Sequence, residues 1–433
     1  MTENRSGNRD LRERVTELRR ALAACNPVSN RDEWAFAAFR LGTALAETAG
    51  TNEALQEPIR LLGEASKVFS ADRAPVEHGR VATVLGSCFR RVGKPDAALR
   101  SLETAARLLR GRVSTAEHAA AESNLATALM ESGNLHDALI HADIAVGELS
   151  RIESPTDADN RSLIAALFNR GLIRQSLGGD PDEILADFRL VIKLGGGDDA
   201  ILQRGMAHHA IGILHKARKE LAEGLREFAI ASSLLSPASF PMQHAICRFN
   251  MGITYEALGT LPDLRLALRE LSVALTIFDQ RLHAPQRSVT LEARTRVIDA
   301  LVASNPEMTI SDHQVQMLLE SGGDSRVTIL REIIGGLEPL PRDLRSGLLL
   351  DLFDSLVAIK ECKQLLSVMI PVLMEFPDAV LSDAMSALVA ALREHPRQSE
   401  ISRDLDDVVH AVLHGPQRVR VRDILEFFGW QRP

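Results

Sequence analysis

Three groups of side chains in this 433-residue chain have types and spacings that could do chemistry. His410 and His414 are four residues apart. At that spacing two imidazoles on one helix face can chelate a metal, and Asp406 lies one turn earlier. Val409 and Ala411 flank His410, so the glutamate that stands beside the first histidine of a zinc-peptidase helix is missing. Both histidines lie close to Gly415 and also suit a helix C-terminus. His208 and His215 are roughly 10 Å apart along a helix, too far to share one ion. Arg80, Arg90 and Arg91 could grip a carboxylate or an acidic peptide through paired N–H donors. The cysteines, Cys25, Cys88, Cys247 and Cys362, form no CxxC pair and read as small buried thiols. No GxSxG, phosphate-binding loop or GxGxxG after a strand occurs, and Gly195-Gly196-Gly197 follows a helix. The expectation is no catalytic residue, no metal and no cofactor.

The elements that would carry these residues repeat. Leu85, Ala98 and Ala105 step by thirteen and seven residues, and Leu125, Ala138 and Ala145 step by the same amounts. Each stretch reads as an amphipathic helix A, a turn at Gly93 or Gly133, and an amphipathic helix B. Small residues such as Gly86, Ala98 and Ala105 let the two helices approach closely. Similar stretches place the corresponding helix A residue at positions 41, 85, 125, 170, 211 and 251. The first carries an insertion in its turn, and Pro58 suits the first turn of its helix B.

This pattern resembles the tetratricopeptide repeat (TPR), in a long-period bacterial form, since the spacing of 40–45 residues exceeds the usual value of about 34. The resemblance implies an all-α, right-handed superhelix of about six repeats. It also implies that helix A residues two before, two after and five after each marker line a concave groove. In the first three repeats these are mostly small or polar, such as Thr43, Thr83, Ser87, Ser123 and Thr127. In the last three they form an apolar trough of Phe168, Leu172, Ile213, Phe249 and Ile253, with His209 beside it. These six residues and Arg80, Arg90 and Arg91 are the candidate partner-binding set. A protein or peptide partner is expected in the groove, which makes the chain a non-enzymatic scaffold or adaptor. One alternative is a peptide-responsive regulatory sensor. Another is the TPR partner subunit of a bacterial conflict or peptidase system, because Trp34 to Gly42 looks similar to repeats found beside caspase-like peptidases. His78-Gly79 is similar to the His-Gly of those peptidases, but no suitable Cys motif follows it. Two further readings are an enzyme site around His209 and a groove filled by the chain's own C-terminal helices.

The expected organisation is a polar start and capping helix over 1–30, the repeats over 31–283, and a helical C-terminal region over 284–433. Residues 1–8 are expected to be disordered and 9–25 helical, with Leu11, Val15, Leu18 and Leu22 on one face. The C-terminal helices are expected at 287–304, 311–320, 342–359, 361–376, 378–394, 400–414 and 420–429. Gly322-Gly323 and Gly335-Gly336 read as breaks. A homodimer through residues 342–429 is a further expectation. Net charge is −8, so nucleic acid is not the expected partner. Aromatics at 4% disfavour a β-sandwich. No apolar run is long enough to span a membrane, the start lacks a signal peptide's apolar segment, and a cytoplasmic location follows.

Overall fold

The computed structural model describes residues 3–431 except 198, 199, 280, 339 and 394, with side chains from residue 13 onward. Among the described residues there are 21 α-helices and no strand. Helix α1 spans Glu3–Ala24 and so begins ahead of residue 9. Six helix pairs follow: α2 (Arg31–Thr48) with α3 (Gln56–Val68), α4 (Pro75–Arg91) with α5 (Pro95–Leu109), and α6 (Thr115–Glu131) with α7 (Leu135–Leu149). The other three are α8 (Asp157–Ser176) with α9 (Pro181–Leu194), α10 (Ile201–Ala217) with α11 (Leu221–Leu234), and α12 (Pro241–Leu258) with α13 (Leu261–Ile277). The insertion expected in the first pair is a short 3-10 turn, Glu53–Leu55. The remaining helices are α14 (Ala284–Ser304), α15 (Ile310–Glu320), α16 (Gly323–Leu337), α17 (Arg342–Ala358), α18 (Cys362–Leu373), α19 (Asp378–Arg393), α20 (Gln398–Val412) and α21 (Gly415–Phe427). The chain is an all-α tandem helical repeat, built as two compact units, Met1–Ala210 and Ile211–Pro433.

Close approach within the pairs depends on missing side chains. A Cβ on Gly42 would lie 2.8 Å from Cγ of Leu62, and one on Gly212 would lie 2.6 Å from Cε1 of Phe228. Gly86 over Leu102, Gly171 over Phe188 and Gly252 over Leu271 repeat the arrangement. The third pair has Ala126 in place of glycine, and a small residue, Ala142, is buried in the same cluster. The turns between paired helices have their own signature. Gly93, Gly133, Gly178 and Gly259 close helix A in the left-handed conformation. In the fifth pair the position is occupied by Lys219 at φ 63°, the one non-glycine residue with positive φ among those described. A side chain costs about 1–2 kcal/mol there, so Lys219→Gly is expected to stabilise the fifth pair by roughly 0.5–1 kcal/mol after the glycine's entropy loss. Chemical denaturation of the variant checks this.

Successive pairs are joined by a donor at the start of helix A. Nδ1 of His78 donates to the Phe69 carbonyl at 2.5 Å, and Nδ1 of His244 donates to the Leu235 carbonyl at 2.9 Å. Arg287 donates to the carbonyls of Phe278 and Leu275 at 3.0 and 2.9 Å. Each satisfies the otherwise orphaned end of the preceding helix. Arg287 extends this device to α14, so the repeat continues one helix beyond the fading of its sequence pattern.

In unit 1 the first core cluster joins Leu18 of α1 to Leu41, Leu62, Phe69 and Leu85, so α1 covers the open apolar end of the first pair. Leu11 lies outside the residues whose side chains are described. In unit 2 one core cluster runs from Leu264 to Trp430. From α15 onward helices pack on the next but one, α15 on α17, α17 on α19 and α18 on α20, while α16 packs on α13 as well as on α18. Leu349, Leu352, Phe353, Leu366, Met369 and Leu388 fill this core. Gly322-Gly323 does mark the break between α15 and α16, whereas Gly335-Gly336, also expected as a break, lies inside α16. A Cβ on Gly336 meets nothing within 4 Å, and burial of Ile329, Leu330 and Ile334 outweighs the glycines' poor helix propensity.

Candidate partner-binding surface

The nine candidate residues fall into three groups. Arg80, Arg90 and Arg91 are all on α4 and are engaged within unit 1. Arg80 pairs with Glu117 through Nε at 2.5 Å and a terminal nitrogen at 3.1 Å, and Arg90 reaches Glu131 at 2.5 Å. Arg91 donates to the carbonyls of Ala46 and Ala49 at 2.7 and 2.5 Å, closing the end of α2. The Arg80 guanidinium is held above its ordinary pKa, chiefly by the hydrogen bond to Glu117. These arginines therefore tie α4 to its neighbours, and an outside carboxylate has to exchange with Glu117 or Glu131.

Phe168 and Leu172 form the second group, half-buried on α8 in unit 1. The Phe168 ring lies 5.8 Å from that of Phe188, the residue beneath Gly171. The polar residues expected nearer the N-terminus are largely satisfied by their own helices. Thr43, Thr83 and Thr127 each donate to the carbonyl four residues earlier, and Thr127 also accepts from Asn169 at 3.0 Å. His209 is buried, 7% exposed, at the end of unit 1.

Ile213, Phe249 and Ile253 belong to unit 2 and are half-buried. Phe249 and Ile253 pack against the core that continues into the C-terminal helices. Phe249 also lines a hollow of about 350 Å³ with Ile246, Phe278, Pro285, Val289 and Thr290. Val289, on α14, is 51% exposed. The sequence reading left out Ile246, which lies outside the three offsets used, and Val289, which lies past the last marker. A charged row lies on the same helices. Glu256 accepts from Arg296 at 2.8 and 3.0 Å. Burial lowers the half-buried Lys216 ammonium, and Glu256 acts against that shift.

The histidines sit in structural hydrogen bonds, some as donors and some as acceptors. Helix α20 ends at Val412 and His414 is extended at φ −118°, so His410 and His414 do not share one helix face. Arg422 and Arg418 approach the His410 ring at 3.0 and 3.4 Å, a cationic setting that disfavours a metal. His215 pairs with Glu220 at 2.6 Å. His118, 4% exposed, stands between Glu148 at 2.9 Å and Glu122 at 3.1 Å, and Glu122 meets His141 at 2.5 Å, bracing α6 against α7. No group of three metal-ligating side chains is assembled among the described residues. Burial raises the thiols of Cys88 and Cys362 above their ordinary pKa and pushes Cys247 up to about 12, away from nucleophilic thiolate chemistry.

One histidine gives a pH dependence. Burial first, then Arg248, lowers the pKa of His244, which accepts from Arg248 Nε at 3.2 Å and faces Glu270 on α13. The fold therefore favours neutral His244. Its contribution is fully present above the ordinary histidine range and is lost as pH falls toward the depressed folded value. Stability measured from pH 7 to pH 5 is expected to drop less in His244→Gln than in the parent chain.

Among the described residues no helix is long and apolar enough to cross a membrane. No family model matches the chain. No curated protein matches it either. Among solved structures the chain is similar to a "Circular tandem repeat protein with novel repeat topology and enhanced subunit contact surfaces", at 16% identity, over 98% of this chain and 90% of that chain, with a TM-score of 0.17. The repeat character rests on the chain's own successive helix pairs, which make it an all-helical repeat protein.

Proposed function

We propose that the chain is a non-enzymatic, TPR-type scaffold or adaptor that docks a protein or peptide on the face formed by its helix A rows. In this reading the pairs wind as a right-handed superhelix and the helix A rows line its groove. The observation that carries the proposal is the hollow at Ile246, Phe249 and Val289, where half-buried apolar side chains of α12 lie beside an exposed valine of α14. Such a surface accepts the apolar face of a partner helix, while Lys216, Glu256 and Arg296 supply charge for its register. Affinity comes from apolar burial on a preformed wall. Pull-down from the native host, comparing the intact chain with Phe168→Ala/Phe249→Ala, tests this. The proposal expects a partner held by the intact chain and lost with the folded variant. Retention of the same partners by the variant would move the site elsewhere.

A further inference from the structure

Unit 2 holds a cavity of about 430 Å³ between α13, α14, α15, α16 and α17. That volume lies within the roughly 300–1,000 Å³ typical of small-molecule sites. Its apolar wall includes Leu268, Met317, Ile333 and Leu352, all 9% exposed or less. Its border is also apolar. Ile310 and Leu348 line the cavity yet are 44% and 39% exposed, and Leu344, one turn from Leu348, is 54% exposed. Two large apolar side chains of the lining left in water differ from scattered surface leucines. The charged lining consists of Arg294, Glu332 and Asp351. Arg294 and Glu332 form an ion pair, with side chains 25% and 7% exposed. Asp351 is exposed and makes no ion pair among the described residues.

We propose that this cavity binds a small molecule with an apolar body and an ammonium head group, with the head set toward Asp351. Arg294 is already neutralised by Glu332, so the lining carries one uncompensated negative charge. A carboxylate ligand would meet two acidic side chains, and a neutral ligand would leave Asp351 unused. Burial raises the Glu332 pKa against the pull of Arg294, so a second cation nearby also favours its ionised form. This site is separate from the helix A face, and the proposal stands whether or not the adaptor reading does.

The test uses the full chain and three probes with one body: 2-phenylethylammonium, 2-phenylethanol and 3-phenylpropanoate. Titration calorimetry is expected to rank the amine tightest, at least about fivefold over the alcohol, with the carboxylate weakest. Asp351→Asn, a change at an exposed position, is expected to erase the preference for the amine and leave the alcohol's affinity unchanged. Equal binding of the three probes, no binding by the amine, or a preference that survives Asp351→Asn would each overturn the proposal.

Discussion

Asp383→Ala is expected to destabilise unit 2 by about 3–5 kcal/mol. Asp383, on α19, is 3% exposed and accepts from Arg345 of α17 at 2.9 and 2.6 Å, and from Arg342 at 3.1 Å. Arg345 is itself 8% exposed, and its remaining terminal nitrogen donates to the carbonyls of Glu338 and Leu340. Removing the carboxylate leaves a buried guanidinium with no counter-charge and no route to water. Arg342 is the internal control. Its side chain is 72% exposed, and Arg342→Ala is expected to cost less than about 1 kcal/mol. Chemical denaturation of both variants decides the matter. Similar small losses would show that α17 and α19 are held by apolar packing alone.

Gly212→Ala and Gly347→Ala are expected to change stability in opposite directions. Both glycines lie inside helices, so alanine brings the same gain in helix propensity, about 1 kcal/mol. At Gly347, on α17, the new Cβ meets nothing within 4 Å, and the gain is realised. At Gly212 the Cβ would stand 2.6 Å from the ring of Phe228, which is fully buried and has no space to retreat. The helices must separate, at a cost of about 1–3 kcal/mol. Thermal unfolding of the two variants checks the sign. A stabilising Gly212→Ala would mean that the pair is not held by close approach over glycine.

The repeats were legible because close packing leaves a trace in residue type. Glycine at 42, 86, 171, 212 and 252, each set over a large residue of helix B, is a local code for five of the six helix pairs, and Ala126 takes its place in the third. The joints between pairs were not legible, because His78, His244 and Arg287 donate to backbone carbonyls, which any residue can supply. Helix α16 was lost to the Gly335-Gly336 step, whose cost is overcome by tertiary burial, while Gly322-Gly323 was correctly read as a break. The histidine pair at 410 and 414 looked like a chelating face only while the helix was assumed to continue; α20 stops between them. The arginines of α4 looked free because their partners lie in other repeats, Glu117 and Glu131 in the next one and the Ala46 and Ala49 carbonyls in the one before. The candidate groove positions rest on register alone, and Val289 lies past the last marker, where the sequence pattern fades.

The central claim is that the helix A face meets the partner. The most direct measurement is site-specific photo-crosslinking in native host extract. A benzophenone side chain is placed at Val289, 51% exposed beside the hollow, or at Ile140, 57% exposed on helix B of the third pair. Both are exposed apolar positions, so non-specific capture affects them equally. The account predicts a discrete adduct from position 289, absent from position 140 and diminished by Phe249→Ala. The same adducts from both positions, or a discrete adduct from position 140 alone, would contradict it.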